Sequence, residues 1–152
     1  MITSFLQWLS KHKLKIEVAL VMLVIIVAFS DQLGVGTRDN ALMVSMMLLA
    51  LFYFISAYFI PDLEGMLAVV SAKVVSISSA ICVVGLLFAI LKLNGADQML
   101  MIGTLSIFVA GIFLLIHAIK SWNKEYVALF LRVIVLGTLS GTALMKLMEH
   151  SG

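Results

Sequence analysis

Between Asn40 and the acidic pair Asp62/Glu64 lies an uncharged run, ALMVSMMLLALFYFISAYFIP, closed by Pro61. Roughly twenty residues of helix, at ~1.5 Å each, cross a hydrocarbon layer of ~30 Å. A water-soluble helix of that length carries a polar face. Here, tyrosine hydroxyls aside, only Ser45 and Ser56 interrupt the apolar run. The same pattern recurs along the chain, and that recurrence predicts an all-α, polytopic integral membrane protein.

Composition says why lipid must be the solvent. Of 152 residues, 63% are hydrophobic and 12% charged, and the mean hydropathy is +1.19. Soluble domains are about 45–50% apolar, and a fold of this size cannot hide the excess from water. No polar segment is long enough to fold separately, so residues 1–152 are expected to form a single transmembrane domain. A net charge of +2 is too small to suggest nucleic acid. The lone Cys82 excludes an internal disulfide and a cysteine-based metal cage, and reads as a small packing residue.

Five spans are expected, at about 14–33, 41–60, 66–92, 98–119 and 126–148, joined by short loops; four is the alternative, with the first or fifth lying at the interface. Residues 1–10 place Ile2, Phe5, Leu6 and Leu9 at helical spacing beside Trp8. That suits an interfacial helix, or one that continues into the first span. Lys11, Lys13 and Lys15 followed by apolar residues and Ala28-Phe29-Ser30 have some features of a signal peptide. The apolar residues before the lysines argue instead for a first span. Gly34–Asn40 and Asn94–Asp97 read as turns, Ser121–Glu125 as a loop, and Pro61 ends the second span because it cannot continue the hydrogen-bond ladder.

With the N-terminus placed in the cytoplasm, Lys11, Lys13, Lys15, Lys73, Lys120, Lys124 and Arg132 fall inside, and Arg38, Lys92 and Lys146 outside. This excess predicts a multi-pass protein of the inner (cytoplasmic) membrane with its N-terminus in and its C-terminus out. Trp8, Tyr58, Trp122 and Tyr126 all fall near the inner interface, where amphipathic rings anchor; Tyr53 lies deeper.

Because lipid tails are as apolar as leucine, helices associate through small residues that allow close approach. Gly137 and Gly141 form a GxxxG in the fifth span, which suits packing within the chain or a seam between copies. Gly103 and Gly111 lie on one face of the fourth, and Ser78 and Gly85, with Ser71 and Cys82, form one stripe of the third. These three helices are expected to make the packed centre, with the bulky second span (Phe52, Phe54, Phe59) facing lipid. The repeat of Gly-Thr-Leu-Ser at 103–106 and 137–140 is not continued by its flanks.

Ionisable residues inside a membrane are functional candidates by default. Glu17, Lys73, His117, Arg132 and Lys146 all fall within about two turns of a span end, where long side chains can snorkel to the interface. The sharper alternative is one inner charged cluster of Glu17, Lys73 and Arg132 between helices, either a structural ion pair or a docking site for a partner's helix. Outer-side methionines (Met43, Met46, Met47, Met99, Met101, Met145, Met148), near His150, include soft thioethers suited to Cu(I). Methionine is equally an ordinary gap-filler. The loop acids Asp31, Asp39, Asp62, Glu64 and Asp97 read as solvated. No carboxylate pair, HExxH, P-loop or nucleophile elbow is present, so neither catalysis nor a cofactor nor a resident metal is expected.

Residues 88–103, FAILKLNGADQMLMIG, resemble the membrane hairpin of the gliding-motility motor subunit family through Lys92, Gly95, Ala96, Met99, Leu100 and Gly103. The resemblance implies two helices joined by an outward turn, as the charge count does. This sequence lacks that family's proline before the glycine. After Asp97 in the turn no carboxylate follows as far as Ala118, so the family's proton-coupled activity has no residue within this helix to act through.

The expected function is a non-enzymatic membrane subunit or scaffold that packs against other membrane proteins or itself, with the lipid bilayer as its other partner. A small oligomeric transporter or channel for an ion or small solute is the alternative, and Cu(I) handling a remote one.

Overall fold

The computed structural model describes residues 1–29, 38–58, 63, 65–121 and 124–151. The Gly34–Thr37 part of the first turn, Phe59, Pro61, Trp122 and the acids Asp31, Asp62 and Glu64 lie outside the described residues. Five helices follow in order: α1 (Ile2–Phe29), α2 (Arg38–Ser56), α3 (Met66–Ile90), α4 (Ala96–Lys120) and α5 (Lys124–Ser151). Four of them, α2 to α5, are long and apolar enough to cross a membrane. The protein is an α-helical, multi-pass membrane bundle.

α1 is one uninterrupted helix, so residues 1–10 do not form a separate interfacial element. Lys11, Lys13 and Lys15 do not break it, since lysine is a good helix former and its charge can remain solvated. The uncharged stretch of α1 among the described residues is Val18–Phe29, about 18 Å at helical rise. That is short of a full crossing.

α3 is the hub and packs against α2, α4 and α5. Its buried residues are nearly all small: Ala68, Ser71, Ala72, Ser76, Ser78, Ser79, Ala80, Cys82 and Gly85. α3 and α4 close through a Schellman motif: the Leu93 N–H donates to the Phe88 carbonyl at 2.8 Å and the Lys92 N–H to Ala89 at 3.3 Å. Lys92 takes the left-handed conformation usually given to glycine (φ 55°), at a cost of about 1–2 kcal/mol. Gly95 (φ 88°) then starts α4. A Cβ at Gly103 would lie 2.8 Å from Cys82 Sγ and one at Gly85 3.1 Å from the Leu100 backbone nitrogen. These partners count in opposite directions, so the two helices run antiparallel with their backbones nearly touching. Gly111 meets Val133 and Gly137 meets Phe108 in the same sense between α4 and α5.

Two expectations about packing need correction. α2 is not a lipid-facing outsider: 44% of its spanning stretch is buried, against 28% of α5's. Leu42, Met46, Leu49, Phe52 and Tyr53 form one buried stripe while Met43, Met47, Leu51 and Phe54 face out. Bulky side chains on α2 fit the small residues of α3, large into small. Gly141, the second glycine of the GxxxG, approaches nothing within 4 Å. Near the start of α5 Tyr126 is fully buried against the core, whereas Trp8 and Tyr58 are exposed.

Candidate functional site: a buried ion pair under a charged cavity

Arg132 sits two turns into α5 and points inward. Its Nε donates to Glu17 Oε1 at 2.6 Å and its Nη2 to Glu17 Oε2 at 2.7 Å. This is the fork-on-carboxylate geometry that makes the strongest charge-assisted pairs. Both side chains are about nine-tenths buried. Nη1 lies 3.4 Å from both Ser56 Oγ and Ser76 Oγ. The Ser56 hydroxyl proton is given to the Tyr53 carbonyl at 2.7 Å, which leaves its lone pairs toward the guanidinium. The Tyr53 ring sits beneath the arginine, 4.9 Å from centroid to Cζ, a cation–π contact of about 2 kcal/mol when desolvated. One guanidinium thus gathers α1 (Glu17), α2 (Tyr53, Ser56), α3 (Ser76) and its own α5.

Chain geometry explains why these residues meet. Tyr53 and Ser56 are three apart on one face of α2, and Ser76 continues the buried stripe of α3. Toward the helix ends of the same side, Lys13 donates to Glu125 across the α1–α5 gap. Lys13 precedes Glu17 by one turn and Glu125 precedes Arg132 by two, so α1 and α5 run in the same direction. Their side chains clasp across a gap, while α1 lays its own length along α2.

The gap is a cavity of about 200 Å³ lined by Lys13, Leu14, Glu17, Ser56, Leu63, Ser76, Lys124, Glu125, Ala128, Leu129 and Arg132. Its mouth is the partly exposed Lys13–Glu125 pair with Lys124, and its floor the Arg132–Glu17 pair. Among the described residues, three cations and two carboxylates therefore line a chamber that also has aliphatic walls.

Of the sequence candidates, Glu17 and Arg132 come together as a closed pair rather than snorkelling. Lys73 does not join them: it is exposed on the outward stripe of Val70, Val74 and Ile77. It shares their depth but not their side of α3. Lys146 is exposed, and His117 is half-buried with its ring against Gly65. Gly85, Gly103, Gly111 and Gly137 make close helix contacts and Ser78 is buried; Gly141 makes no such contact. Of the methionines, Met46 is buried whereas Met43, Met47, Met101, Met145 and Met148 are exposed. Among the described residues no three His, Cys, Asp or Glu side chains converge as a metal site. Sequence reasoning missed Tyr53, Ser56, Lys13, Lys124 and Glu125 as site residues. The signals available were the Lys13/Glu17 spacing of one turn and the depth of Tyr53 beyond the aromatic rim.

No family model, no curated protein and no solved structure matches the chain. The likeness of residues 88–103 to a motor-subunit hairpin is confined to that segment.

Proposed function

We propose that this protein is a non-enzymatic subunit of an inner-membrane assembly, which packs its helices against other membrane proteins or further copies of itself; an N-terminus in the cytoplasm with the C-terminus outside requires α1 to complete a fifth crossing beside the four apolar spans. The observation that supports this is where the polar chamber stops. Its floor is an arginine already held by a carboxylate. Beyond that floor the described interior is filled by Cys82, Leu100, Gly103 and Ile107, the Ser79 hydroxyl donates to the Val75 carbonyl, and the Thr104 hydroxyl donates to Ser140, which donates to the Leu136 carbonyl. A single copy therefore offers a translocated solute no polar path through its described core. The outward faces are apolar helix, and α5, the least buried span, turns Thr138 and Thr142 outward with Gly141 open between them. That is the small-residue surface a neighbouring helix can approach closely.

Mass determination after mild detergent extraction tests the reading. A stable complex with a different membrane protein supports it, and a monodisperse monomer overturns it. A symmetric homo-oligomer with a central aqueous path would favour the second reading, a small-solute transporter or channel. The inner cavity with Ser76 in its wall is the observation on that side. One-sided labelling of cysteines placed at Asn94 or Ser121 checks orientation; reaction of the Asn94 turn only from the cytoplasm would reverse it.

A further inference from the structure

We propose that the inner cavity is a binding site for a phosphate oxyanion, presented by the headgroup of an anionic lipid or arriving as free phosphate. The inference goes beyond the subunit reading and stands without it, since a single copy holds all the residues named.

Three features carry it. First, among the described residues the lining is cationic in balance, with Lys13, Lys124 and Arg132 against Glu17 and Glu125. Basic pockets between membrane helices near an interface are suited to phosphate headgroups. Second, the arginine at the floor is not saturated. Nε and Nη2 bond Glu17 at 2.6 and 2.7 Å, but among the described residues Nη1 has only two hydroxyls at 3.4 Å, beyond the 2.7–3.2 Å of ordinary N–H···O bonds. A planar guanidinium with a spare donor edge, flanked by two hydroxyls, matches a phosphate oxygen. Third, the space and walls fit. About 200 Å³ holds a phosphate group with an ordered water or two, at ~30 Å³ per water. Leu14, Leu63, Ala128 and Leu129 give a glycerol or acyl stem an apolar wall.

Binding has a defined consequence for the mouth. An incoming oxyanion is repelled by Glu125 and attracted by Lys13 and Lys124, so Lys13 must exchange its carboxylate for the phosphate. The two kinds of mouth residue therefore act with opposite sign. Lys124→Gln is expected to weaken binding about fivefold, as is Lys13→Gln. Glu125→Gln is expected to tighten it by a similar factor. None of the three touches the Arg132–Glu17 pair.

The full chain is titrated by native mass spectrometry from detergent with phosphatidic acid, with phosphatidylcholine as the reference, and separately with inorganic phosphate at constant ionic strength. Saturable phosphatidic acid binding, weakened by Lys124→Gln, strengthened by Glu125→Gln and not displaced by inorganic phosphate, supports the site with a lipid headgroup as occupant. Saturable inorganic phosphate binding with the same two opposite responses supports it with the free anion. Phosphatidic acid binding no tighter than phosphatidylcholine, together with no phosphate binding, overturns the proposal. So does binding that ignores both substitutions in variants whose circular dichroism and extraction behaviour are unchanged. Neither result moves the mass of the assembly, so the subunit reading is tested apart from this one.

Discussion

The two halves of the bundle are held together by different physics. Toward the α3–α4 turn, and along the α4–α5 seam, backbones approach until a single added methyl would collide: Gly85 on Leu100, Gly103 on Cys82, Gly111 on Val133. Toward the opposite rim, α1 and α5 stand apart and are joined by long charged side chains across a cavity. The glycine seams gain dispersion contacts and need no polar group. The clasp keeps charge inside a low-dielectric region, and its attraction is largely offset by the cost of desolvating both ions. A bundle that needed only stability could be closed by leucines at both ends. The clasp is therefore not explained by stability alone, whereas the seam is.

The largest effect should come from breaking the clasp at its floor. Arg132→Met or Glu17→Met alone strands a buried charge and should cost about 3–5 kcal/mol, measured by denaturant titration in detergent micelles. The double substitution should recover most of that loss, because an apolar pair replaces a buried ion pair at little net cost. If the double variant is as unstable as the singles, the pair does more than satisfy itself. Next is the seam: Gly103→Ala places a methyl 2.8 Å from Cys82 Sγ and 3.1 Å from its backbone nitrogen. Neither atom can yield easily, so overpacking of about 1–3 kcal/mol is expected. An unchanged unfolding midpoint would mean that the helices part more readily than this contact implies.

How much of this contrast the sequence carried follows from what hydropathy can and cannot encode. Helices appear because uncharged runs of about twenty residues have one economical fate in lipid. Depth is also legible: Glu17 and Arg132 were placed at one level by counting residues from the span ends, and the structure joins them. Azimuth is legible where small residues mark a face, as Ser71, Ser78, Cys82 and Gly85 do on α3, and not elsewhere. Lys73 stands at the same level but on the wrong side of α3, because apolar residues surround it whether they face lipid or core. The same ambiguity misplaced α2, since Phe52 and Phe54 read alike although one is buried and the other faces out. In water a polar face would have broken the tie; in a membrane both faces are greasy.

Two smaller perturbations sharpen the comparison further. Thr104→Val removes the hydroxyl that donates to Ser140 at 2.8 Å across the α4–α5 seam. Interhelical hydrogen bonds in membranes average about 0.6 kcal/mol, and Ser140 retains its bond to the Leu136 carbonyl, so a loss of that order is expected. At the mouth of the clasp, Lys13→Gln should cost at most about 1 kcal/mol, because that pair is partly exposed and screened. Its effect should shrink as salt rises, whereas that of Thr104→Val should not.

The smallest loss of stability in the isolated chain is expected at Gly141. Nothing lies within 4 Å of a Cβ built there, so Gly141→Ala creates no clash and should change stability by no more than about 1 kcal/mol, helix propensity favouring alanine. That near-silence separates the two glycines of one GxxxG. Gly137, four residues earlier, faces Phe108 at 3.1 Å and belongs to the seam, while Gly141 serves no contact inside this chain. If α5 docks on another helix there, Gly141→Leu should leave the unfolding midpoint of the isolated chain nearly unmoved yet shift the detergent-extracted assembly toward lower mass. A Gly141→Leu variant that keeps its assembly intact would place the partner surface elsewhere on the bundle.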